Sequence, residues 1–218
     1  MPNLKLYKKD SSAPCHSVFM VLEALNIKDV EYVNLNLQQK EQYKKEFLEI
    51  NPQHTIPTLK DDDFVIWDSH AIVTYLVNQY AQNDSLYPKD PQKRALVDQR
   101  LHFDNGILYA ALREAMIPII YQGEKKFRPE VLEKIKSGYE FMEKFLTKTW
   151  VAGENITVAD ICCVSSISSL NEILPINVKT YPKLAGWLTA CSTQDFYVKA
   201  GASYVKIFQA AHKNLLLS

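Results

Sequence analysis

The chain has 218 residues, with 47% hydrophobic and 23% charged side chains, which are ordinary proportions for a soluble globular protein. Its 25 basic and 25 acidic residues cancel, which gives no electrostatic reason to expect a nucleic-acid partner or binding to an anionic membrane. We expect no membrane segment and no secretion signal, because no apolar run approaches the roughly 20 residues of a membrane span and the N-terminus lacks an apolar stretch.

The first 82 residues predict a compact α/β unit whose elements follow the order βαβαββα. Short runs that alternate apolar and polar residues, or that are rich in β-branched and aromatic residues, are typical of strands. Apolar residues on one face at helical spacing indicate the helices between them. In chain order, we expect strands at 4–9, 30–37, 55–60 and 64–67, and helices at 13–27, 41–50 and 68–80.

The character of the sequence changes after residue 82. Residues 83–91 are polar and contain two prolines, which is typical of a linker between domains. Beyond them, helical periodicity predicts an all-helical domain over 92–218. The clearest helix start is at Thr157, because Asp160 follows it at the spacing of a capping box. The expected helices lie at 92–122, 128–148, 157–171, 182–192 and 202–216.

The cysteines show no spacing that is typical of metal ligands, and two of the four are adjacent. They are Cys15, Cys162, Cys163 and Cys191. We expect them to be small buried hydrophobic side chains in a reducing compartment, rather than disulfides or metal ligands. The sequence therefore predicts no metal site, and the cytoplasm is the default location.

Two features of the α/β unit resemble the thioredoxin fold. Pro57 opens the third strand, and the resemblance implies a cis bond after Ile56 that turns the Ile56 backbone outward to pair with an extended peptide. A trans proline at the start of a strand is the alternative from spacing alone. Residues 12–15 read SAPC, with serine where a C-x-x-C motif has its first cysteine, which excludes exchange through two thiols at this site.

Five segments carry a more specific resemblance: SSAPCHSV, NPQHTIPTL, DSHAIVTYLV, SLYPKDP and WVAGENITVADI. With these motifs in order, nearly the whole chain resembles the cytosolic glutathione transferases of the insect delta/epsilon group. DSHAI and LYPKDP are most similar to the epsilon class. The resemblance implies a thioredoxin-like domain that binds glutathione and a helical domain with a pocket for the second substrate. It also implies a cytoplasmic homodimer that uses glutathione as co-substrate, without a covalently bound cofactor.

By this resemblance, Ser12 is the catalytic residue. A free thiol has a pKa of about 8.5, so little glutathione is thiolate at neutral pH. The Ser12 hydroxyl would donate a hydrogen bond to the thiolate, and the helix that begins near Ala13 would add a favourable dipole. The alternatives are that Ser12 only caps the helix, or that Ser11 is the donor.

The resemblance also implies a glutathione site. The Ile56 backbone would pair with the cysteinyl part of glutathione, and His54 would reach its glycyl carboxylate. Asp68 and Ser69 would hold the γ-glutamyl end, unless they are only an N-cap pair, and Asp104 would approach glutathione across a dimer interface. The expected glutathione-binding residues are Ser12, Gln42, His54, Thr55, Ile56, Pro57, Asp68, Ser69, His70 and Asp104.

Three residues depart from the family pattern. Gln42 stands where the family usually has a histidine, and Lys45 stands where it has a proline. Gln42 can donate a hydrogen bond but carries no charge, so the glycyl carboxylate would be held more weakly unless Lys40 or Lys44 compensates. His16 replaces a common arginine, with no consequence that the sequence reveals.

The pocket for the electrophile should come mainly from the helix predicted at 92–122. On spacing alone, the apolar stripe of this helix is a core face. The resemblance instead assigns part of it to a substrate pocket, which a residue near the C-terminus would close. The expected pocket residues are Pro14, Tyr109, Arg113, Met116, Ile117, Ile120, Tyr121 and Phe208.

We therefore predict a glutathione transferase that joins the glutathione thiolate to small apolar electrophiles in xenobiotic detoxification. Elimination of HCl from chlorinated insecticides, or reduction of organic peroxides, is the alternative within the same class. A non-catalytic protein that binds glutathione or hydrophobic ligands is the alternative from another class. Gln42 favours it, whereas the otherwise complete set of glutathione residues opposes it. A thiol reductase that uses Cys15 is weaker, because relatives of that type have cysteine at the position of Ser12.

Overall fold

A four-stranded sheet organises the N-terminal part of the chain in the computed structural model, which describes residues 3–217. The strands lie in the order β2-β1-β3-β4, with β1 parallel to β2 and antiparallel to β3, and β3 antiparallel to β4. The strands are β1 (Leu4–Lys8), β2 (Val30–Asn34), β3 (Thr58–Asp61) and β4 (Phe64–Trp67). The helices among them are α1 (Ala13–Ala24), α2 (Lys45–Leu48) and α3 (Ser69–Tyr80). The predicted order βαβαββα is therefore confirmed.

The alternation of the central strands explains how the sheet is buried. Leu4 and Leu6 of β1 are 2% and 0% exposed, and Leu59 of β3 lies opposite Leu6 and is also fully buried. Helices α1 and α3 pack against each other in this part of the core. Full burial of one leucine stabilises the fold by about 1.5–3 kcal/mol, so these positions fix the register of the strands.

Six α-helices form the second part of the chain within the described residues. They are α4 (Pro91–Phe103), α5 (Tyr109–Tyr121), α6 (Pro129–Phe145), α7 (Val158–Ile173), α8 (Pro182–Ser192) and α9 (Ala202–Leu217). Helix α7 lies at the centre, since every residue from Val158 to Leu170 is buried. The two parts meet where α1 packs against α7. The linker predicted at 83–91 leads into Pro91, and residues 1, 2 and 218 of the two predicted domains lie outside the described range.

Three predicted elements differ from the structure. The helix predicted at 92–122 is divided by a π-helical turn over Asp104–Leu108, which contains Asn105 and Gly106, two poor helix formers. The helix predicted at 41–50 is a 3₁₀ turn and the short α2, because Lys44 between them is extended. The strand predicted at 30–37 ends at Asn34, because Asn36 turns the chain by accepting bonds from the next backbone N–H groups.

The capping pair predicted at the start of α7 is confirmed. Asp160 is fully buried, and its Oδ2 accepts a hydrogen bond from the Thr157 N–H at 2.9 Å. Its Oδ1 accepts from the Val151 N–H at 2.9 Å and from Trp187 Nε1 at 3.0 Å. Burial raises the pKa of Asp160, and these bonds oppose that rise. One carboxylate thus ties the start of α7 to the preceding loop and to α8.

The cysteines are buried and free, as predicted. Over residues 3–217, no helix has the length and apolar character that crossing a bilayer requires.

Candidate active site

Ser12 lies at the junction between β1 and α1. Its backbone N–H donates to the Lys9 carbonyl at 3.1 Å, and its own carbonyl accepts the first bond of the helix, from the His16 N–H, at 3.0 Å. Its backbone is extended, with φ −97° and ψ 118°, as is usual for an N-cap residue. The side chain nevertheless makes no capping hydrogen bond. The alternative that Ser12 serves only as a side-chain cap is therefore wrong.

The N-terminus of α1 favours a negative charge near Ser12. The first N–H groups of a helix have no partner within it, and the aligned peptide dipoles add partial positive charge there.

The thiol that interacts with Ser12 is Cys15, which is fully buried. Burial raises the pKa of Cys15 to about 11, although a hydrogen bond with Ser12 opposes the rise. Cys15 therefore stays a neutral thiol at neutral pH.

The loop that precedes β3 is organised by Asn51, a buried residue that the sequence analysis missed. Asn51 Nδ2 donates to the Thr55 carbonyl at 3.1 Å and to Thr58 Oγ1 at 2.9 Å, and its Oδ1 accepts from the Gln53 N–H. These bonds hold residues 51–58 in one conformation. An asparagine beside a proline in the loop was the only signal that the sequence offered.

The same loop carries four of the expected glutathione-binding residues. His54 is exposed with a left-handed φ of 50°, and its ring packs 4.7 Å from that of Tyr43. Thr55 and Ile56 are half-buried, and Pro57 is buried. The bond between Ile56 and Pro57 is cis, as the resemblance implied.

Asp68 caps α3 and also keeps an accessible carboxylate. Its Oδ1 accepts hydrogen bonds from the N–H groups of His70 at 2.9 Å and Ala71 at 3.3 Å. The role of Asp68 as an N-cap, considered in the sequence analysis, is therefore confirmed. The side chain is still 48% exposed. The interaction with the His70 side chain is the largest cause that lowers the pKa of Asp68. Ser69, the first residue of α3, is buried beside it.

His70 lies between two carboxylates. Its Nε2 is 2.8 Å from Asp104 Oδ2, and its Nδ1 is 3.6 Å from Asp68 Oδ1, an ion-pair contact longer than a hydrogen bond. Burial disfavours a charged His70, but Asp104 and Asp68 outweigh it and raise the pKa of His70 to about 9. His70 is therefore a cation at neutral pH, and it links α3 to the π-helical turn after α4.

Asp104 is buried beside His70. Within a single chain it is only 2% exposed, and it faces His70 of the same chain rather than an open surface. The expected approach of Asp104 to glutathione across a dimer interface stays a prediction. Its Oδ1 has no hydrogen-bond partner among residues 3–217. Asp104 is therefore linked to the start of α3 through its contact with His70.

Gln42 is buried in the 3₁₀ turn before α2, and its Oε1 lacks a hydrogen-bond partner in the described part of the chain. Next to it, Tyr43 contacts the ring of His54, which brings the two segments together. Lys44, one of the two lysines expected to compensate for Gln42, is paired with Glu41 at 2.9 Å. Its charge is therefore already partly neutralised.

A cavity of about 610 Å³ lies between the start of α1 and helices α5 and α9. It brings together Ser12 and every residue expected in the electrophile pocket. The expected residues around it are Pro14, Tyr109, Arg113, Met116, Ile117, Ile120, Tyr121 and Phe208. Burial raises the pKa of Tyr109 to about 12, so its hydroxyl remains protonated at neutral pH.

Other residues at the cavity were not predicted as pocket residues. They are Lys9, Ser11, Ala13, Gln38, Leu112, Tyr204 and Ala211. Ser11 was named only as a rival of Ser12. Tyr204 and Ala211 lie on α9, far from α1 in sequence, so no local pattern could assign them. Among the described residues, no group of three or more His, Cys, Asp or Glu side chains is arranged to hold a metal ion.

Comparison with known proteins matches both parts of the chain. Residues 6–84 match the family model of the glutathione S-transferase N-terminal domain, and residues 96–195 match that of the C-terminal domain. The chain is 60% identical over 200 residues to "Glutathione S-transferase 1" of Manduca sexta, covering 91% of this chain and 92% of that protein.

Solved structures agree with this match. An epsilon-class glutathione S-transferase from the housefly, Musca domestica, has a TM-score of 0.94 and 40% identity, with 98% of each chain covered. A glutathione transferase homolog from Drosophila mojavensis, solved with bound glutathione, also has a TM-score of 0.94, with 41% identity and 98% of each chain covered.

His70→Gln should remove a pH-dependent contribution to stability. Because the pKa of about 9 in the folded state lies above the ordinary histidine pKa of about 6.5, the charged His70 stabilises the fold fully below about pH 6.5. This contribution is lost as the pH rises through about 9. Wild type should exceed the variant in unfolding free energy by about 3 kcal/mol near pH 6, and the difference should shrink by about pH 10.

Denaturant unfolding at both pH values measures this difference. The exposed His102→Gln is the matched control, because it removes a histidine without touching the two carboxylates. A difference between wild type and His70→Gln that is the same at both pH values would contradict a charged His70.

Proposed function

The chain belongs to the glutathione S-transferase family, and we propose that Ser12 activates the thiol of glutathione for attack on an electrophile in the adjoining cavity. Glutathione is the co-substrate of this family. The observation that carries the proposal is the Ser12 hydroxyl, which is not used for capping and lies at the cavity wall beside the N-terminus of α1. The similarity to insect transferases, including an epsilon-class structure, supports conjugation of glutathione in detoxification.

The Ser12 hydroxyl donates a hydrogen bond to the thiolate and keeps its own proton. A hydrogen bond to a charged group contributes about 1.5–3 kcal/mol, and a helix N-terminus adds about 0.3–1 kcal/mol. Since one pKa unit corresponds to about 1.4 kcal/mol, these terms lower the thiol pKa by about one to three units. The thiolate then forms the carbon–sulfur bond, and the leaving group departs with its electron pair.

The rest of glutathione extends along the loop before β3 to the start of α3. The Ile56 backbone pairs with the cysteinyl part, and His54 with Gln42 meets the glycyl carboxylate. Asp68 offsets the γ-glutamyl ammonium, while the Ser69 hydroxyl and the N-terminus of α3 receive its carboxylate. Thr55 and Pro57 shape the same edge, and His70, held by Asp104, keeps Asp68 in position. The left-handed His54 and the exposed Asp68 carboxylate support this assignment.

The electrophile occupies the cavity between α1, α5 and α9. Pro14 lies two residues after Ser12, and Tyr109 is the first residue of α5. Met116, Ile117 and Ile120 follow along one face of α5. Phe208 closes it from α9. Thioether and aromatic side chains adapt to apolar ligands of varied shape.

We also propose that two chains pair through a surface formed by Leu96, Ile107 and Phe141, which we call the α4 surface. These side chains are 46%, 41% and 41% exposed. Phe103 lies on the same side of α4 as Leu96 and contacts the ring of Phe141 at 6.1 Å, so the apolar patch is continuous. Patches of this kind on soluble proteins mark interaction sites.

A cytoplasmic location is part of the proposal, because the cysteines are free buried thiols, as in proteins of a reducing compartment. Recovery of the protein in secretory vesicles after cell fractionation would contradict it.

Ser12→Ala should lower kcat/KM for conjugation of glutathione to chlorodinitrobenzene by about tenfold or more, a loss of about 1.4 kcal/mol of transition-state stabilisation. The loss is expected because the thiolate loses its hydrogen-bond donor. Steady-state rates with glutathione titrated measure it, and Ser11→Ala is the matched control. An equal or greater loss in Ser11→Ala would assign the donor to Ser11 instead.

Gln42→His should lower KM for glutathione by about threefold or more with little change in kcat, because a charged donor binds a carboxylate more strongly than an amide. The exposed Gln39→His, three residues earlier, controls for adding a histidine to this segment. An unchanged KM would contradict the proposal that Gln42 contacts the glycyl carboxylate of glutathione.

Leu96→Lys should weaken the dimer by about tenfold or more, because it places a charge in a surface that becomes desolvated. Sedimentation measures the shift from twice the 25.0 kDa of one chain toward a single chain. Val178→Lys, which alters a side chain that is 65% exposed away from the α4 surface, is the control. Wild type that sediments as a single chain at all concentrations would contradict the dimer.

A further inference from the structure

The described residues that line the cavity give it a net positive charge. Two of them, Lys9 and Arg113, are cations, and no aspartate, glutamate or histidine is among them. Lys9 lies on the turn that leads to Ser12, and Arg113 lies on α5 one turn before Met116 and Ile117. The cations thus adjoin both the reacting end and the apolar wall of the cavity.

Neither cation is neutralised by a carboxylate within the described residues. The acids closest in sequence are bound to other lysines: Asp10 pairs with Lys8 at 2.5 Å, and Glu114 pairs with Lys134 at 2.6 Å. No salt bridge of Lys9 or Arg113 to a described residue is present. A cation that lines a ligand cavity without a carboxylate partner is a recognition element for an anion.

The apolar part of the cavity begins next to these charges. Met116, Ile117 and Ile120 follow Arg113 along α5, and Phe208 faces them from α9. A ligand with an anionic group at one end and an apolar body would satisfy both parts at once. A neutral apolar ligand would leave the cations unpaired.

We propose that this cavity selects electrophiles that join an apolar body to an anionic group such as a carboxylate, with Lys9 and Arg113 pairing the anion. The inference rests on the proposed function of the same cavity and adds the substrate class. A rival role for the two cations is to stabilise the glutathione thiolate, which would speed the reaction with neutral and anionic electrophiles alike. The two roles differ in the ratio of rates for matched electrophiles.

Chlorodinitrobenzene and its carboxylate analogue chlorodinitrobenzoate form a matched pair. With each, the glutathione sulfur forms a bond to the ring carbon, the carbon–chlorine bond breaks, chloride leaves, and the thiol proton goes to solvent. Dividing each kcat/KM by the uncatalysed rate with glutathione removes the difference in intrinsic reactivity. The ratio of the two normalised values, anionic over neutral, is the selectivity.

Wild type should have a selectivity above one. Lys9→Gln and Arg113→Gln should each lower it by about threefold to tenfold, and added salt should lower it for wild type, because the pairing is electrostatic. Lys136→Gln removes an exposed lysine outside the cavity and should leave the selectivity unchanged. A wild-type selectivity at or below one, or one that neither cavity variant lowers, would overturn the proposal. Equal losses for both electrophiles, with the pH profile shifted upward, would assign the cations to the thiolate and also overturn it.

Binding of unreactive ligands separates this proposal from the proposed function. Calorimetry with dodecanoate and dodecanol compares an apolar chain with and without the charge, and needs no turnover. Dodecanoate should bind about tenfold more tightly than dodecanol, and Lys9→Gln with Arg113→Gln should remove the difference. Equal affinities in wild type would overturn the selection of anions. If the protein prefers dodecanoate but does not turn over either electrophile, the proposed transferase activity would be wrong, and the selection of anionic ligands would stand.

Discussion

The contact between α1 and α7 is the interaction on which the rest of the site depends. The Ser165 hydroxyl of α7 donates a hydrogen bond to the Ala13 carbonyl in the first turn of α1, and His16, one turn later, is fully buried. This contact fixes the start of α1 against the centre of the helical domain. Ser12 is the residue before that turn, so its hydroxyl lies at the cavity wall. A thiolate placed there meets the helix N-terminus and the apolar pocket together.

His16 connects the same helix to the C-terminal part of the cavity. Its ring stacks on that of Tyr204 at 4.2 Å, and its Nδ1 is 3.3 Å from Ser165 Oγ. Ser169 holds the Tyr204 hydroxyl at 2.6 Å from the other side. Burial lowers the pKa of His16 to about 3, so the ring is neutral. Because the ring is neutral, it can be buried and stacked here. His16, which stands where the resemblance implied an arginine, therefore has a structural role: its ring joins α1 to α7 and α9.

Sequence patterns correctly predicted the structural features that depend only on residues close together in the chain. The strands follow from alternation, and the Thr157–Asp160 pair follows from spacing, because both are decided within a few residues. The division of the helix predicted at 92–122 was missed, since apolar periodicity continues across Asn105 and Gly106 although their helix propensity is low. The contacts of His16 could not be predicted, because its partner Ser165 lies 149 residues away. The resemblance supplied the pocket residues of α5, whereas Lys9 and Tyr204 required the fold.

In the proposed mechanism, Ser12 and the N-terminus of α1 stabilise the thiolate of glutathione before any electrophile binds. Ultraviolet difference absorption of the thiolate, followed over pH with glutathione bound to wild-type protein, measures this directly. The thiol of bound glutathione should titrate at least about one unit below its free pKa of about 8.5. A titration at the free value, in protein that is saturated with glutathione, would contradict the claim.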